Sequence, residues 1–122
     1  MSLPNNLKTG IAYYSSMNDR DFDTMSSYLH PEVICISPLD IISTKEVVVS
    51  AAKNFSNFFK TIIIKEEFTS EHKVVLLLET ACSEPVGCFR STSVLSFEKG
   101  LISKIELFYD PRPFERKEIF DV

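Results

Sequence analysis

The feature of this sequence that most constrains its fold is a change of periodicity near Thr61. Before that point apolar residues recur at spacings of three and four, which is typical of helices, and after it they do not. Four strand-like segments then follow with short turns between them: residues 61–69, 73–82, 86–98 and 101–109. Strands joined by such short links run antiparallel, and helices followed by a meander form the α+β pattern. The sequence therefore predicts an α+β fold with N-terminal helices packed in an antiparallel sheet.

The first helix is predicted over residues 4–17, with Pro4 at its start. Leu7, Ile11 and Tyr14 fall at spacings of four and three and form one apolar stripe. A second stripe lies beside the first and contains Gly10, Tyr13 and Met17. We therefore expect Tyr13 at the edge of the buried face.

A second helix is predicted after the polar break at residues 18–21. Its apolar side contains Phe22, Met25, Tyr28 and Leu29. Pro31 is expected to end this helix, because the residue before a proline avoids the helical region. The β-branched residues 32–37 then predict a short strand.

A third, long helix is predicted behind a capping box at residues 43–46, where the Ser43 hydroxyl and the Glu46 carboxylate would each accept from a free amide of the first turn. The wide apolar face of this helix contains Val48, Ala51, Ala52, Phe55, Phe58 and Phe59.

Alternation along residues 89–97 indicates a pocket. One face of this strand contains Phe89, Ser91, Ser93, Leu95 and Phe97. Its apolar ends direct this face at the core, so the two serine hydroxyls between them also point inward. A closed core avoids such hydroxyls unless each is hydrogen-bonded. A cavity with a partly polar lining explains them better than a filled interior does.

Two other strands are apolar on both faces, in residues 62–64 and 74–78. An antiparallel sheet with one solvated face would alternate there, so a second layer is expected to cover the outer face. In a chain of 122 residues the cover we expect is a second copy, which predicts a homodimer formed through the sheet.

Composition narrows the class of protein. Residues 1–122 are expected to form one domain, because single cores run to about 100–150 residues. Seventeen acidic against thirteen basic residues give a net charge of −4, which counts against nucleic acid as a partner.

No apolar run approaches the length of a membrane span, and residues 1–5 do not read as a signal peptide. Three cysteines without metal-ligand spacing predict reduced thiols in the cytoplasm, with no metal and no cofactor.

Three stretches of the chain resemble those of a known family. Residues 13–22 (YYSSMNDRDF) contain a short polar break after the first helix, and residues 28–33 (YLHPEV) an acidic turn. Residues 100–111 (GLISKIELFYDP) end a last strand in YDP. Together they resemble the nuclear-transport-factor-2-like superfamily, and within it the SnoaL-like and ketosteroid-isomerase-like branch. The resemblance spans about residues 7–113 and implies a single SnoaL-like domain whose curved sheet forms a cone-shaped, cystatin-like roll with a central pocket.

The same resemblance implies where catalytic groups would lie. In the isomerase branch a helix-one tyrosine donates to an oxyanion, an aspartate ending the first strand abstracts a proton, and a late acid assists. Here Tyr13 falls on the tyrosine position, Ser37 on the base and Ser93 near the second acid. A serine with no neighbouring base is a poor proton acceptor, so the resemblance implies the pocket without its base. Leu107 stands where an epoxide hydrolase of this family would need a carboxylate.

Eight residues are candidate pocket residues: Tyr13, Cys35, Ser37, Phe55, Phe59, Ser91, Ser93 and Tyr109. Tyr13 is either a hydrogen-bond donor or a packed aromatic ring. The serines either line a ligand site or bond to one another and to water. Cys35 is either a pocket thiol or an inert buried cysteine.

The sequence favours a small-molecule-binding protein whose ligand is compact and apolar with one or two polar groups. One alternative is a weak isomerase, cyclase or dehydratase that uses Glu79, Asp110 or His30 as its base. The other is a non-catalytic dimeric assembly module with a vestigial pocket. Whether any reaction is catalysed stays open at this point.

Overall fold

The computed structural model describes residues 5–115 as three helices and one curved, mixed sheet of six strands. The predicted first residue of the first helix, Pro4, lies outside this range. In chain order the elements are α1 (Asn5–Asn18), α2 (Phe22–Ser27), β1 (Leu29–Ile36), β2 (Ile41–Ser43), α3 (Lys45–Phe55), β3 (Phe59–Thr69), β4 (Lys73–Cys82), β5 (Cys88–Glu98), β6 (Leu101–Phe108) and a 3₁₀ turn (Arg112–Glu115). None of the described helices is both long enough and apolar enough to span a membrane.

The strands lie in the order β2-β1-β6-β5-β4-β3. The predicted antiparallel meander is confirmed from β3 to β6. The first strand adds a feature that local patterns do not predict, because β1 pairs with β6 in parallel, with Cys35 opposite Ile105. A parallel pair needs a long connection, and here the third helix and the meander together supply it.

The core lies between the helices and the inner face of the sheet. Alternate residues of β4 are buried on this face: Val74, Leu76, Leu78, Thr80 and Cys82. The residues between them on the outer face are apolar too except Glu79, which is why most of this strand does not alternate in sequence.

Gly10 allows α1 to lie directly on the sheet. A Cβ atom at this position would approach the Leu95 Cδ1 atom to 2.9 Å and the Val74 Cγ1 atom to 3.5 Å. Both of these side chains are fully buried and have little room to move. The glycine therefore sets the distance between α1 and the central strands.

The end of α1 is tied to the start of β3 by Arg20. Its guanidinium donates to the backbone carbonyls of Asn18, Phe59 and Lys60, and it lies 4.0 Å from the centroid of the Phe59 ring. The Asn18 Oδ1 atom accepts from the Ile62 amide at 2.8 Å. Because Ile62 faces the interior of the sheet, this connection also positions one wall of the cavity described below.

The second helix is shorter than predicted, and the expectation that Pro31 ends it is wrong. It ends at Ser27, and β1 begins at Leu29 and runs through Pro31. Leu29 already pairs with Ile102, while the register shifts before the next pair at Ile34. Pro31 therefore lies in an irregular part of the strand, where its missing N–H interrupts no regular ladder.

The capping box at the start of α3 does not form. Ser43 pairs with Ile34 as the last residue of β2, a short strand that the sequence did not predict. Thr44 becomes the residue before the helix, with φ at 74° and no capping bond from its side chain. Its amide instead donates to the Val33 carbonyl at 2.9 Å. Ser43 is therefore part of a strand and does not cap the helix.

The third helix ends four residues earlier than its apolar face suggested. It ends at Phe55, and the Phe58 amide donates to the Phe55 carbonyl at 2.8 Å in the turn that follows. Phe59, predicted on the helix, is the buried first residue of β3 and pairs with Cys82. The phenylalanines that looked like one helical face therefore belong to three different elements.

Candidate functional site

A cavity of about 430 Å³ lies between α1, α3 and the inner face of the sheet. Its lining is mostly apolar, and it contains Tyr13, Tyr14, Met17, Cys35, Ser37, Leu39, Asp40, Ile42, Val48, Ala51, Ala52, Asn54, Phe55, Phe58, Ile62, Leu78, Thr80, Phe89, Ser91, Ile105, Leu107, Tyr109 and Phe114. Four of these residues are exposed and mark the mouth: Leu39, Asp40, Ala51 and Asn54. The buried tyrosines of α1 lie at the opposite, inner end.

Tyr14 holds the wall of the cavity to the sheet. Its hydroxyl lies 2.7 Å from that of Ser93, and either oxygen can donate. Ser93 is fully buried. Burial raises the pKa of Tyr14, and the hydrogen bond to Ser93 opposes this only in part. The phenol is therefore neutral at physiological pH.

Tyr13 presents a free hydroxyl to the cavity. Its ring packs edge-on against that of Tyr14, with centroids 4.9 Å apart, and the residue is 3% exposed. Within the described part of the chain, no group is hydrogen-bonded to this hydroxyl. Every fully buried polar side-chain atom in that part of the chain has a hydrogen-bond partner, so the Tyr13 oxygen, which has none, is not fully buried. It is open to the cavity, where a small molecule can reach it.

The chemical state of Tyr13 is that of a neutral donor. Burial raises its pKa well above the ordinary value, and the neighbouring Tyr14 and Cys35 raise it further. Such a hydroxyl is well suited to donate to a carbonyl or ether oxygen and poorly suited to lose its proton.

Cys35 lies on β1 between Ile42 of β2 and Ile105 of β6. Burial raises the pKa of its thiol to about 11. Because the thiolate is the nucleophile, this cysteine contributes a small, weakly polar surface and not a reactive group.

Ser37 and Tyr109 lie together toward the mouth. The Ser37 hydroxyl accepts from the amides of Leu39 and Asp40 at 3.3 and 3.2 Å and so fixes the turn after β1. Burial raises the pKa of Tyr109, and the nearby Ser37 hydroxyl partly offsets this effect. Both side chains add polar atoms to an otherwise apolar wall.

Four aromatic rings close one side of the cavity. The Phe89 centroid lies 5.0 Å from that of Phe114, 5.7 Å from that of Tyr109 and 6.5 Å from that of Phe55. The 3₁₀ turn after β6 delivers Phe114, and an ion pair between Arg112 and Asp110 holds that turn, with a shortest contact of 2.6 Å. The rings pack on one another and leave the space beside them open.

The structure brings six of the eight sequence candidates to the cavity lining, namely Tyr13, Cys35, Ser37, Phe55, Ser91 and Tyr109. It does not bring the other two there. Ser93 lies behind the lining and bonds to Tyr14, and Phe59 packs beside Phe55 at the start of β3, with ring centroids 5.2 Å apart.

None of the three candidate bases lines the cavity. Glu79 lies on the outer face of the sheet, 3.8 Å from the Arg90 guanidinium. Asp110 is exposed and bonded to Arg112. The His30 Nδ1 atom accepts from the Glu32 amide in the irregular part of β1. Asp40 is the one acidic side chain on the lining within residues 5–115, and it lies at the mouth.

Seven polar or aromatic residues of the lining are not among the sequence candidates: Tyr14, Asp40, Asn54, Phe58, Thr80, Phe89 and Phe114. Tyr14 was visible as part of an apolar stripe, which gave no sign of its hydroxyl. Thr80 was hidden because β4 is apolar on both faces. Phe114 follows the last predicted strand, where no periodic pattern remained to place it. Over residues 5–115, no cluster of His, Cys, Asp or Glu has an arrangement that could hold a metal ion.

No protein-family model matches the sequence, and no curated protein matches it either. Solved structures do resemble it. A protein of known function from Kribbella flavida superposes with a TM-score of 0.84 at 23% identity, over 93% of each chain. An NTF2-like protein of unknown function from Cytophaga hutchinsonii superposes with a TM-score of 0.81 at 14% identity, over 95% of this chain and 98% of that one.

A third similar structure contains a small molecule. It is a protein with a ketosteroid isomerase-like fold from Catenulispora acidiphila, in complex with trimethylamine. Its TM-score is 0.75 at 6% identity, over 86% of this chain and 87% of that one. Identities this low establish a common architecture and leave the chemistry to the residues themselves. The protein has the NTF2-like fold, which ketosteroid-isomerase-like proteins share.

Proposed function

We propose that this protein binds a small, largely apolar molecule in the cavity and holds an acceptor atom of that molecule with the Tyr13 hydroxyl. The observation that carries the proposal is the Tyr13 hydroxyl, which has no partner among residues 5–115 although the residue is 3% exposed and lies on the lining of an apolar cavity. Buried polar groups are normally hydrogen-bonded, so a ligand or water is the expected partner.

The size of the cavity supports this proposal. A volume of about 430 Å³ is within the range of roughly 300–1,000 Å³ found for small-molecule sites. An assembly module with a vestigial pocket would fill this space with its phenylalanines. Phe55 and Phe89 instead form one wall, while Phe59 and Phe97 are not on the lining.

The lining favours binding over proton abstraction. A general base needs a group that accepts a proton near neutral pH within reach of the substrate. Tyr13, Tyr14 and Cys35 all have raised pKa values and keep their protons, and the three candidate bases lie elsewhere. The fold itself accommodates small molecules, as the neighbour in complex with trimethylamine illustrates.

Titration with prodan, an uncharged fluorescent naphthyl ketone, tests the proposal. We expect saturable binding that shifts the emission of the dye to shorter wavelength. Tyr13→Phe should weaken binding about fivefold to tenfold, because it removes one hydrogen bond worth about 1 kcal/mol. Tyr28→Phe is the matched control, since Tyr28 is not on the lining. Absence of saturable binding, or equal losses in both variants, would contradict the proposal.

We further propose that the protein is a homodimer formed through the outer face of the sheet. Exposed apolar side chains on this face include Ile34, Ile63, Phe68 and Phe108. Two ion pairs also lie on this face, Glu79 with Arg90 and Lys104 with Glu106. A second copy rotated by 180° can set each sign against its opposite, which suits an isologous interface.

The cytoplasm is the compartment that we propose for this dimer. Cys35, Cys82 and Cys88 are all unpaired, as is usual where thiols are kept reduced.

A further inference from the structure

We infer that the cavity prefers uncharged ligands to anions such as carboxylates. This inference rests on the proposed function, because it names the chemical class of the ligand that the same cavity would take. The observation behind it is the charge of the lining, which has no positive side chain within residues 5–115.

Every polar group of the inner lining is neutral. Apart from Asp40 at the mouth, the polar side chains on the lining are Tyr13, Tyr14, Cys35, Ser37, Asn54, Thr80, Ser91 and Tyr109. The tyrosine and cysteine groups with raised pKa values stay protonated through the physiological range. None of these groups supplies the positive charge that a buried anion needs as a partner.

The hydrogen-bond donors of the lining are also neutral, and two of its hydroxyl groups are already in use. A carboxylate has two oxygens with about four acceptor positions, all filled by water in solution. The Tyr14 hydroxyl is already bonded to Ser93, and the Ser37 hydroxyl is held in the turn after β1. The donors that remain, such as Tyr13, are neutral groups that suit a carbonyl oxygen but supply no charge to offset the burial of an ionised carboxyl group.

A cation close in sequence to the aromatic wall is already compensated. Arg112 follows Tyr109 by three residues, but its guanidinium lies at the surface and donates to both carboxylate oxygens of Asp110.

The mouth of the cavity adds to the exclusion. Asp40 is exposed beside the entrance, so an approaching anion meets a negative charge there. Salt screens this contribution, whereas it leaves the cost of burying the anion in the dry interior unchanged.

Two probes of nearly equal shape test the inference: 1-naphthaleneacetamide and 1-naphthaleneacetate. Their binding to the full chain is measured by calorimetry at pH 7 and at low and high salt. We expect the acetate to bind at least about tenfold more weakly than the amide at both salt concentrations. Equal affinities would overturn the inference while leaving the proposed function intact. If neither probe binds to folded protein, the proposed function fails and the inference fails with it.

Two surface variants separate the mouth from the interior. Asp40→Asn removes the negative charge at the entrance and should only slightly reduce the ratio of the amide's affinity to the acetate's affinity. Asn54→Lys places a cation on the exposed rim of the lining near the end of α3, where a positive charge suits the helix. It should reduce the ratio several-fold. Equal affinities of Asp40→Asn for the two probes would overturn the claim that the interior of the cavity excludes the anion.

Discussion

The hydroxyl groups of Tyr14 and Ser93 lie 2.7 Å apart in the core, although the two residues are 79 positions apart in the chain. The bond joins the middle of α1 to the middle of β5 and stands directly behind the cavity lining. One of two consecutive tyrosines is thereby committed to holding the wall, which leaves Tyr13 to face the ligand space.

Removing either hydroxyl should destabilise the protein. Ser93→Ala leaves the buried Tyr14 hydroxyl without its partner, and we expect a loss of about 1–3 kcal/mol in the free energy of unfolding. Tyr14→Phe leaves the smaller Ser93 hydroxyl unpaired at a comparable cost. The double variant should lose less stability than the two single variants lose together. Urea unfolding should give a coupling free energy of about 1 kcal/mol between the two hydroxyl groups. Strict additivity would show that the hydroxyl groups do not interact.

Gly10→Ala should destabilise the protein although alanine is the better helix former. The gain in helix propensity is about 1 kcal/mol, but the new methyl group would lie 2.9 Å from the Leu95 Cδ1 atom. Overpacking in a close-packed core costs about 1–3 kcal/mol, so we expect a net loss of about 1 kcal/mol. Ser15→Ala on the exposed side of the same helix is the control and should be neutral or slightly stabilising. A more stable Gly10→Ala variant would contradict this account of the helix–sheet contact.

The three thiols should react with iodoacetamide at very different rates. Burial raises the pKa of Cys35 and of Cys82 to about 11, whereas Cys88 is exposed. At pH 8 only about one in a thousand Cys35 side chains is then a thiolate. Mass spectrometry of the native protein should therefore find Cys88 alkylated first, with all three modified after denaturation. Early modification of Cys35 would contradict its assignment as an inert part of the lining.

The turn that delivers Phe114 should weaken in acid. The Arg112 guanidinium beside Asp110 holds the pKa of that carboxyl near 2, below its ordinary value of 3.8. A carboxyl with a depressed pKa in the folded state stabilises the protein above about pH 4, and this contribution is lost as the pH falls toward 2. NMR titration of the side-chain carboxyl groups should find Asp110 among the last to protonate.

A matched pair of variants isolates this contribution. Asp110→Asn should lower the urea midpoint at pH 6, and its difference from the wild type should shrink as the pH approaches 2. Asn57→Ala, at an exposed site in the turn after α3, changes no titratable group and should show no such convergence. A difference for Asp110→Asn that does not depend on pH would mean that the ion pair does not stabilise the turn.

The proposed dimer makes a prediction about the outer face of the sheet. Phe108 is 56% exposed there, and Phe108→Glu should convert the dimer to monomer in sedimentation velocity at micromolar concentration. The physical reason is the cost of burying an unpaired charge at an interface. Val47 is 45% exposed on α3, away from the sheet, so Val47→Glu should remain dimeric. A wild-type protein that sediments as a monomer would refute the dimer.

Much of the fold could be predicted from the sequence because it depends on local signals. The bounds of β4 were predicted to the residue, and those of the other meander strands to within two residues, because turns and alternation are properties of neighbouring residues. The parallel pairing of β1 with β6 depends on contacts between residues about 70 positions apart, such as Cys35 and Ile105. No short pattern contains that information.

The wrong expectations share one cause, which is competition between a local preference and strand pairing. Ser43 had the pattern of a helix cap, but it pairs with Ile34. Pro31 had the pattern of a helix end, but it falls where the register of β1 shifts. At the site, Ser91 and Tyr13 could be predicted from periodicity. The bond between Tyr14 and Ser93 could not, because it depends on how α1 docks onto the sheet.

The parallel pairing of the first and last strands also sets when the cavity exists during synthesis. Its lining begins at Tyr13 and ends at Phe114, and β6 separates β1 from the rest of the meander. A nascent chain that has not yet released β6 from the ribosome has α1 and both halves of the sheet but no closed wall. Ligand binding therefore becomes available only after β6 has joined the sheet, and a ligand present at that moment favours the completed fold over its precursors.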